Sequence, residues 1–488
     1  MNVVEPILFQ ARHNPPAPAM CAPGTGLGMI SYARLAQFIN NVGRRAVSLG
    51  ISPGQVVAIQ VSDRIIHSAI ALGLMHIGAA TVSIGASVPA GLRVDAIITD
   101  SRRSLGTASG EKIFAADFTW LASGDPLDKR HIYRGSGDAI CRIAMTSGST
   151  GEPKAVGFSH KTQLARLARY NHLFGNFFPQ YSRFFSDYGL GSSGGFRHLL
   201  YVLSRGGTMF FPGATPMDTL QTFELYKVQG LIASPGGLSG FLKFYEANRD
   251  FKCGFDVIIS AGSPMPESLS ERVRARLCST LIFYYGTTET ATISSAPAHA
   301  LTGISGAVGY VAPDVTVEIV DGSGMLLPPD REGSIRIGSP VSVDGYLDSV
   351  DDAPSPFRDG RFYTGDVGYL TPDNLLVVTG REKDVLNLGG DKVKPQAIEE
   401  AITAFKGVEQ AAVFTAPNEL GIDEVWAHIV PNAPVDETAL RNHCKEKLCE
   451  THVPVRFISV AELPRNPGGK IERSRLRAVA QDLPRPGF

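Results

Sequence analysis

Apolar positions near the N-terminus alternate between two rhythms. Leu35, Phe38, Ile39, Val42, Ala46 and Leu49 keep the spacing of one helix face, opened by Ser31 and ended by Gly50. Pro53-Gly54 then turns the chain into a short apolar run over 56–61, a second helix over 65–77 and a strand over 81–84. Further on, the pattern predicts helices over 161–174, 197–204, 219–228 and 238–247, and strands over 208–211, 230–233, 257–260 and 281–285. Strands alternating with helices of this length imply βαβ units and a parallel sheet.

From Val308 the texture changes. Residues 315–320, 333–337 and 375–379 are short and alternating, with turns at Asp321-Gly322 and Pro328-Pro329-Asp330 between them. That predicts an antiparallel, barrel-like section. Helices over 395–405 and 437–448 and strands over 411–414 and 425–429 then read as a small α+β domain, and the tail beyond Leu476 is expected to be poorly ordered.

Composition narrows the class. At 488 residues, two or more domains are expected. With 43% apolar and 19% charged residues the chain reads as a soluble globular protein, and its 52 glycines point to many tight turns. A net charge of -1 leaves no broad footprint for nucleic acid or anionic membrane. The six cysteines are scattered without a C-x-x-C, which predicts reduced thiols in a cytosolic protein, with no metal site at Cys444 and Cys449. Residues 1–14 show no secretory signal, and 67–86, the most apolar stretch, reads as buried helix and strand and not as a membrane span.

Candidate chemistry starts at Thr146-Ser147-Gly148-Ser149-Thr150-Gly151-Glu152-Pro153-Lys154, a hydroxyl-rich loop between two apolar runs. Bare N–H groups and hydroxyls suit a ligand rich in acceptor oxygens, a phosphate chain above all. It is not a Walker loop, because the lysine comes three residues after the second glycine and Pro153 discourages a helix there. A plain surface loop has the same composition.

Four more clusters fall at strand ends or in loops. In Tyr284-Tyr285-Gly286-Thr287-Thr288-Glu289 an aromatic face, a close-approach glycine, a hydroxyl and a hard oxygen ligand follow one another; a strand end with a helix cap is the plain alternative. Tyr363-Thr364-Gly365-Asp366 places an aspartate after a tight turn, where it can take both hydroxyls of a ribose or bond its own backbone. Gly380-Arg381-Glu382-Lys383-Asp384 and Asn387-Leu388-Gly389-Gly390-Asp391-Lys392 suit a linker or a hinge. Pro464-Arg465-Asn466-Pro467-Gly468-Gly469-Lys470 holds a lysine on a Gly/Pro-rich loop, which matters only if the small domain folds over a nucleotide.

In this order and at these separations the five clusters resemble the ANL adenylating superfamily: acyl- and aryl-CoA synthetases, adenylation domains of peptide synthetases, and luciferases. The resemblance runs from Ile30-Ser31-Tyr32 to Lys470. It implies an α/β multidomain fold, with residues 1–382 forming two α/β subdomains plus a distorted β-barrel, and 383–488 a small mobile α+β domain hinged at Lys383. It implies an AMP-forming ligase that adenylates a small-molecule carboxylic acid with ATP and Mg²⁺, then passes the acyl group to CoA or to the phosphopantetheine of a carrier protein. With 18 residues after Lys470, such a carrier is expected to be a separate chain. A non-catalytic nucleotide-binding relative is the third reading.

The resemblance also assigns roles. Thr146, Ser147, Gly148, Ser149, Thr150, Gly151 and Lys154 handle the β- and γ-phosphates. Gly262, Ser263, Pro264, Tyr285 and Gly286 frame the adenine, and Asp366 and Arg381 grip the ribose. Thr288 holds the α-phosphate, Glu289 the Mg²⁺, and Lys470 bridges substrate carboxylate and α-phosphate; Gly389, Gly390 and Lys392 line a pantetheine channel. The acyl pocket falls to Gly191, Ser192, Gly195, Ser234 and Thr287.

Three departures bear on specificity. Ala155 replaces a glycine common after the loop lysine, and Gly191 stands where many relatives carry a gating histidine. Ser193 lies near the position of an aspartate that binds a substrate ammonium, which argues against an amino acid substrate. Asp187 and Arg197 are the charged residues that could pair with a polar substrate, although such groups are more often structural or solvated.

Overall fold

The computed structural model describes residues 1–85, 87–89, 91–101, 112–122, 124–146, 154–178, 182–248, 251, 254–347, 355–382, 386–388, 391–417, 423–465, 470–473 and 475–476. Among these, the chain forms two large sheets with helices layered between them, then a small C-terminal sheet with helices of its own.

One sheet runs Lys112–Ala115, Ala96–Thr99, Val56–Gln60, Ala80–Ser83, Ile140–Thr146, Lys154–Ser159 in space, parallel throughout except for the last pair. The other has a parallel half built on Leu281–Thr287, Val257–Ser260, Gly230–Ala233, Arg183–Ser186, Thr208–Phe210 and Pro18–Ala22. One apolar core carries residues of both sheets, among them Val57, Ile98, Phe184 and Ile259. Helix Tyr32–Ser48 has the extent its spacing predicts: the Ser31 side chain accepts from the Arg34 N–H, and Leu35, Phe38, Ile39 and Val42 are buried. It meets helix Arg64–His76 closely, because a Cβ at Gly73 would come within 2.5 Å of Val42.

The antiparallel section expected after Val308 continues the second sheet. Leu281–Thr287 pairs with Ala291–Pro297, and Ala307–Val311, Leu375–Arg381, Arg361–Leu370, Gly333–Gly338 and Thr316–Val320 follow. The C-terminal sheet joins Val408–Pro417, Asp423–Pro431 and Arg456–Ser459, with a core of Ile398, Ile402, Val413, Leu440 and Cys444. Glu409 of this sheet is buried against helices Pro235–Ala247 and Glu267–Arg276, bonded to Ser239, with Lys243 at 3.3 Å and Arg272 at 3.6 Å.

The structure adds elements that the sequence pattern does not announce, including helices Glu5–His13 and Glu267–Arg276 and strand Arg183–Ser186. It corrects one local reading. Asp366 does not follow a tight turn; it lies inside strand Arg361–Leu370, opposite Arg381. The misleading residue is Gly365, whose φ of +72° kinks the strand without ending it. No helix of the described residues is long and apolar enough to cross a membrane. The tail beyond Leu476 lies outside the described residues.

Candidate active site

The site forms where the parallel half of the larger sheet gives way to the antiparallel half. Strand Leu281–Thr287 delivers Tyr285, and cross-strand pairing sets Asp366 beside Arg381. Asp366 is buried; its Oδ2 accepts from the Tyr285 hydroxyl at 2.5 Å and its Oδ1 faces Arg381 Nε at 2.9 Å. Burial first, and the Asp366 carboxylate second, hold the Tyr285 phenol well above its usual range, so it remains a donor. Gly262, Ser263 and Pro264 follow the end of the neighbouring strand Val257–Ser260. Gly262 has φ +95°, a conformation that favours glycine, and the Ser263 hydroxyl is buried without a partner.

The turn after Thr287 is a hairpin and not the helix cap that was its plain alternative: Ala291–Pro297 returns antiparallel at once. Within it Glu289 is buried, and its Oε1 accepts from the Tyr346 hydroxyl at 2.9 Å. Lys154 Nζ stands over the Tyr346 ring, 5.1 Å from its centroid. The lysine of the hydroxyl-rich loop and the candidate metal ligand thus share one tyrosine. The turn itself is held by Arg166, 3% exposed on helix His160–Phe174. Its guanidinium donates to the carbonyls of Thr288 (2.9 Å), Glu289 (2.6 Å) and Val341 (2.9 and 3.0 Å). Burial, then the charge of Arg197, pulls Arg166 down to about 9, which still leaves it a cation at neutral pH.

Sequence reasoning missed Tyr346 and Arg166. Tyr346 has no motif around it. Arg166 does carry a signal, since it falls on the buried stripe of its helix with Gln163, Leu167, Tyr170 and Phe174.

The candidate acyl side is the turn before helix Ser193–Ser204. Three of its five expected residues spend their hydroxyls locally. Ser192 caps that helix, accepting from Gly195 N–H at 3.0 Å. Ser234 caps helix Pro235–Ala247, accepting from Gly237 N–H at 3.1 Å, and Thr287 accepts from Thr290 N–H at 3.1 Å. Beneath the turn lies Arg142, 2% exposed, donating to Ser83 Oγ and to the Leu190 carbonyl, both at 2.6 Å, with Phe196 stacked at 4.1 Å. Ser83 also meets His67 Nε2 at 2.7 Å. Burial, then Arg142, depresses His67 to about 4. Next to Phe196, Arg197 donates to the Tyr284 hydroxyl at 3.0 Å and sits against the rings of Tyr170 and Tyr284.

A cavity of about 730 Å³ opens between this side and the C-terminal sheet, lined by Asp187, Tyr188, Ser234, Gly237, Gln410 and Arg465 among others. Arg465 rests on Gly236 at the start of helix Pro235–Ala247 and donates to Gln410 at 2.8 Å; it bridges to Ile471, the neighbour of exposed Lys470.

Thr146 pairs with Lys154 across the two strands that flank the hydroxyl loop, and its hydroxyl donates to the Lys154 carbonyl at 3.3 Å. Ser147, Gly148, Ser149, Thr150, Gly151, Lys383, Gly389, Gly390 and the Lys392 side chain lie outside the described residues.

Two family models match, AMP-binding enzyme over residues 9–347 and AMP-binding enzyme C-terminal domain over 397–470. Among curated proteins the chain is 26% identical to a 4-chlorobenzoate–CoA ligase of Arthrobacter sp., covering 99% of this chain and 97% of that one. It is also 26% identical to the fatty acid–[acyl-carrier-protein] ligase ScoC of Streptomyces coeruleorubidus, over 98% and 96%. Of solved structures, ATP-bound MatB from Rhodopseudomonas palustris superposes with a TM-score of 0.81 at 24% identity, over 99% of both chains, a likeness of fold. With the first model alone spanning more than half of its length, the chain belongs to the AMP-binding enzymes, the adenylating superfamily that its motif order resembles.

Proposed function

We propose that this enzyme activates a carboxylic acid with ATP, through an acyl-adenylate, and transfers the acyl group to the thiol of CoA. The observation that carries the reading is the pair of completed contacts around one strand end: Tyr285–Asp366–Arg381 on one side of the turn and Glu289–Tyr346–Lys154 on the other. The first suits a ribose, whose two hydroxyls find a buried carboxylate already oriented. The second suits a polyphosphate and its metal.

Glu289 fits a hard cation. It is buried, its Oε1 is oriented by Tyr346, and its Oε2 accepts no hydrogen bond among the described residues. A single buried carboxylate suits a metal whose remaining ligands are substrate phosphates. Mg²⁺ bound there would neutralise charge on the phosphates. Arg166 fixes the backbone of Thr288 and Glu289, so Thr288 can hold the α-phosphate and Glu289 the metal without reorganisation. Lys154 brings a cation to the leaving pyrophosphate, together with Thr146 and residues 147–151 of the loop. We assign Gly262, Ser263, Pro264, Tyr285 and Gly286 to the adenine.

Lys470 bridges the carboxylate and the α-phosphate. Attack of one anion on another needs charge spread over several cations, and the Arg465–Ile471 bridge beside Gly236, next in sequence to Lys470, supports this role. We divide the chain at residue 382, with Lys383 as the hinge, and assign Gly389, Gly390 and Lys392 to the pantetheine channel of a second domain arrangement. A carrier-borne thiol is the second reading for the acceptor, favoured by the likeness to the Streptomyces ligase.

Pyrophosphate release across a panel of carboxylic acids, with and without CoA, tests this. Acid-dependent release with acyl-CoA as product supports it. Acid-dependent release that never yields acyl-CoA favours the carrier, and no release with any acid defeats the proposal.

A further inference from the structure

Resting on the carboxylate-activating reading, the geometry of helix Ser193–Ser204 reaches the class of acid. Arg197 is 6% exposed. Its Nη2 donates to the Tyr284 hydroxyl, its charge lies 5.2 Å from the Tyr170 ring and 5.8 Å from that of Tyr284, and its Nε has no partner. Among the described residues no carboxylate pairs with it. Around it three more buried atoms go without hydrogen bonds: the Tyr170 hydroxyl and both ring nitrogens of His198, which is 1% exposed. His198 packs its ring on Tyr170 and Tyr188, and Tyr188 lines the cavity above.

A buried polar group without a partner is costly, and a buried charge without a counter-charge more so. Two ring faces offset only part of that. Arg166 and Arg142, equally buried, each donate to carbonyls or hydroxyls through several nitrogens. Arg142 also leaves its Nε without a partner, but among the described residues on this side of the turn the Arg197 cluster is where cation, phenol and imidazole are left together for something else to complete.

Open space lies at the N-terminal end of the helix that carries the cluster. Helical side chains lean over the turn N-terminal to their own Cα, which for Arg197 is the turn of Ser193 and Gly194. A Cβ at Gly194 would meet nothing within 4 Å, nor would one at Gly189. The strand face that carries Tyr284 carries Gly286 next, and beyond it comes the turn of Thr288 and Glu289. Gly286 itself is covered by the Ala291 carbonyl, 2.3 Å from where its Cβ would stand, so an acid whose carboxyl lies at that turn would run past that carbonyl toward Tyr284 and Arg197.

We propose that Arg197 is the specificity-determining residue of the acyl pocket, and that the preferred acid carries a second anionic group, a carboxylate or its equivalent, at the end remote from the reacting carboxyl. Arg197 pairs with that group; Tyr170 donates to it, and His198 donates through whichever nitrogen carries its proton.

The test is pyrophosphate release with matched acids that differ only at the far end, benzoate against terephthalate and hexanoate against adipate, for wild type, Arg197→Met and Arg197→Lys. Wild type should favour the diacid of at least one pair by tenfold or more in kcat/KM. Arg197→Met should erase that preference through the KM of the diacid, and Arg197→Lys should keep part of it. Melting curves show whether each variant folds; should Arg197→Met fail to fold, the wild-type preference and Arg197→Lys decide. A wild-type preference for monoacids, or an equal loss with both acids in Arg197→Met, overturns the inference while leaving acid activation standing. Release with no acid at all defeats acid activation and the inference with it.

Discussion

Buried charge is completed in opposite ways on the two faces of strand Leu281–Thr287. On the Tyr285 face, Asp366 has both Tyr285 and Arg381, and Glu289 has Tyr346. On the Tyr284 face, Arg197 has a phenol and two rings, with unpartnered Tyr170 and His198 beside it. The first arrangement is organised before any ligand arrives, as suits a nucleotide common to every turnover. The second is organised in position but left incomplete in charge, as suits a site that recognises one acid among many. On our proposal the difference separates two tasks: the Tyr285 face would set the rate for all acids, and the Tyr284 face which acid is preferred.

The largest effect that sharpens this contrast is expected from Arg166→Met. Three buried carbonyls lose their donor, at about 1–3 kcal/mol each. Thermal melting should show a loss of several degrees, and Mg²⁺ titration of pyrophosphate release a higher requirement, with the order of preferred acids unchanged. A changed order would break the division between faces. Next is Lys470→Ala, which should lower adenylation about 10²-fold or more with every acid, by analogy with removal of one preorganised donor. Thioester formation from preformed acyl-AMP should be spared; equal loss in both half-reactions would contradict the bridging role.

A smaller effect concerns the floor of the acyl face. His67 is held near 4 against an ordinary 6.5, chiefly by burial. The neutral ring therefore favours the fold above pH 6.5, and stability falls as pH drops from 6.5 toward 4, because the unfolded chain takes up the proton first. The contribution is at most about 3 kcal/mol. Melting temperatures across that range should fall less steeply in His67→Gln than in wild type; parallel curves would show that His67 does not titrate with folding. Smallest is Gly194→Val. Its side chain enters open space, so melting should barely change, while kcat/KM for the bulkiest accepted acid falls roughly tenfold relative to the smallest, a scale set by a few methylenes of fit. Uniform behaviour across acids would place Gly194 outside the pocket.

Much of the fold was legible in the sequence because single elements carry their own signals. Ser31 and Gly50 bracket helix Tyr32–Ser48, and the runs at Gly230–Ala233 and Val257–Ser260 are strands with the bounds their apolar residues mark. Strand Arg361–Leu370 was less legible because Gly365 resembles a turn until its partner strand is known. Of the site, Tyr285, Asp366 and Arg381 were readable as motifs, and the structure brings them into contact. Tyr346 was not, since its value comes from meeting Glu289 across 57 residues of chain. The Arg166 and Arg197 contacts likewise exist only in three dimensions. The one sequence sign of either is a charged residue on the buried stripe of a helix, and such a residue is paired by the fold or left for a ligand only once its neighbours are known.

The most direct test of adenylation is mass spectrometry of a quenched reaction containing enzyme, ATP, Mg²⁺ and an accepted acid, without CoA. The expected result is acyl-AMP and pyrophosphate in equal amounts, with the acyl-AMP consumed when CoA is added. Formation of ADP and phosphate, or pyrophosphate release without any acyl-AMP, would contradict it.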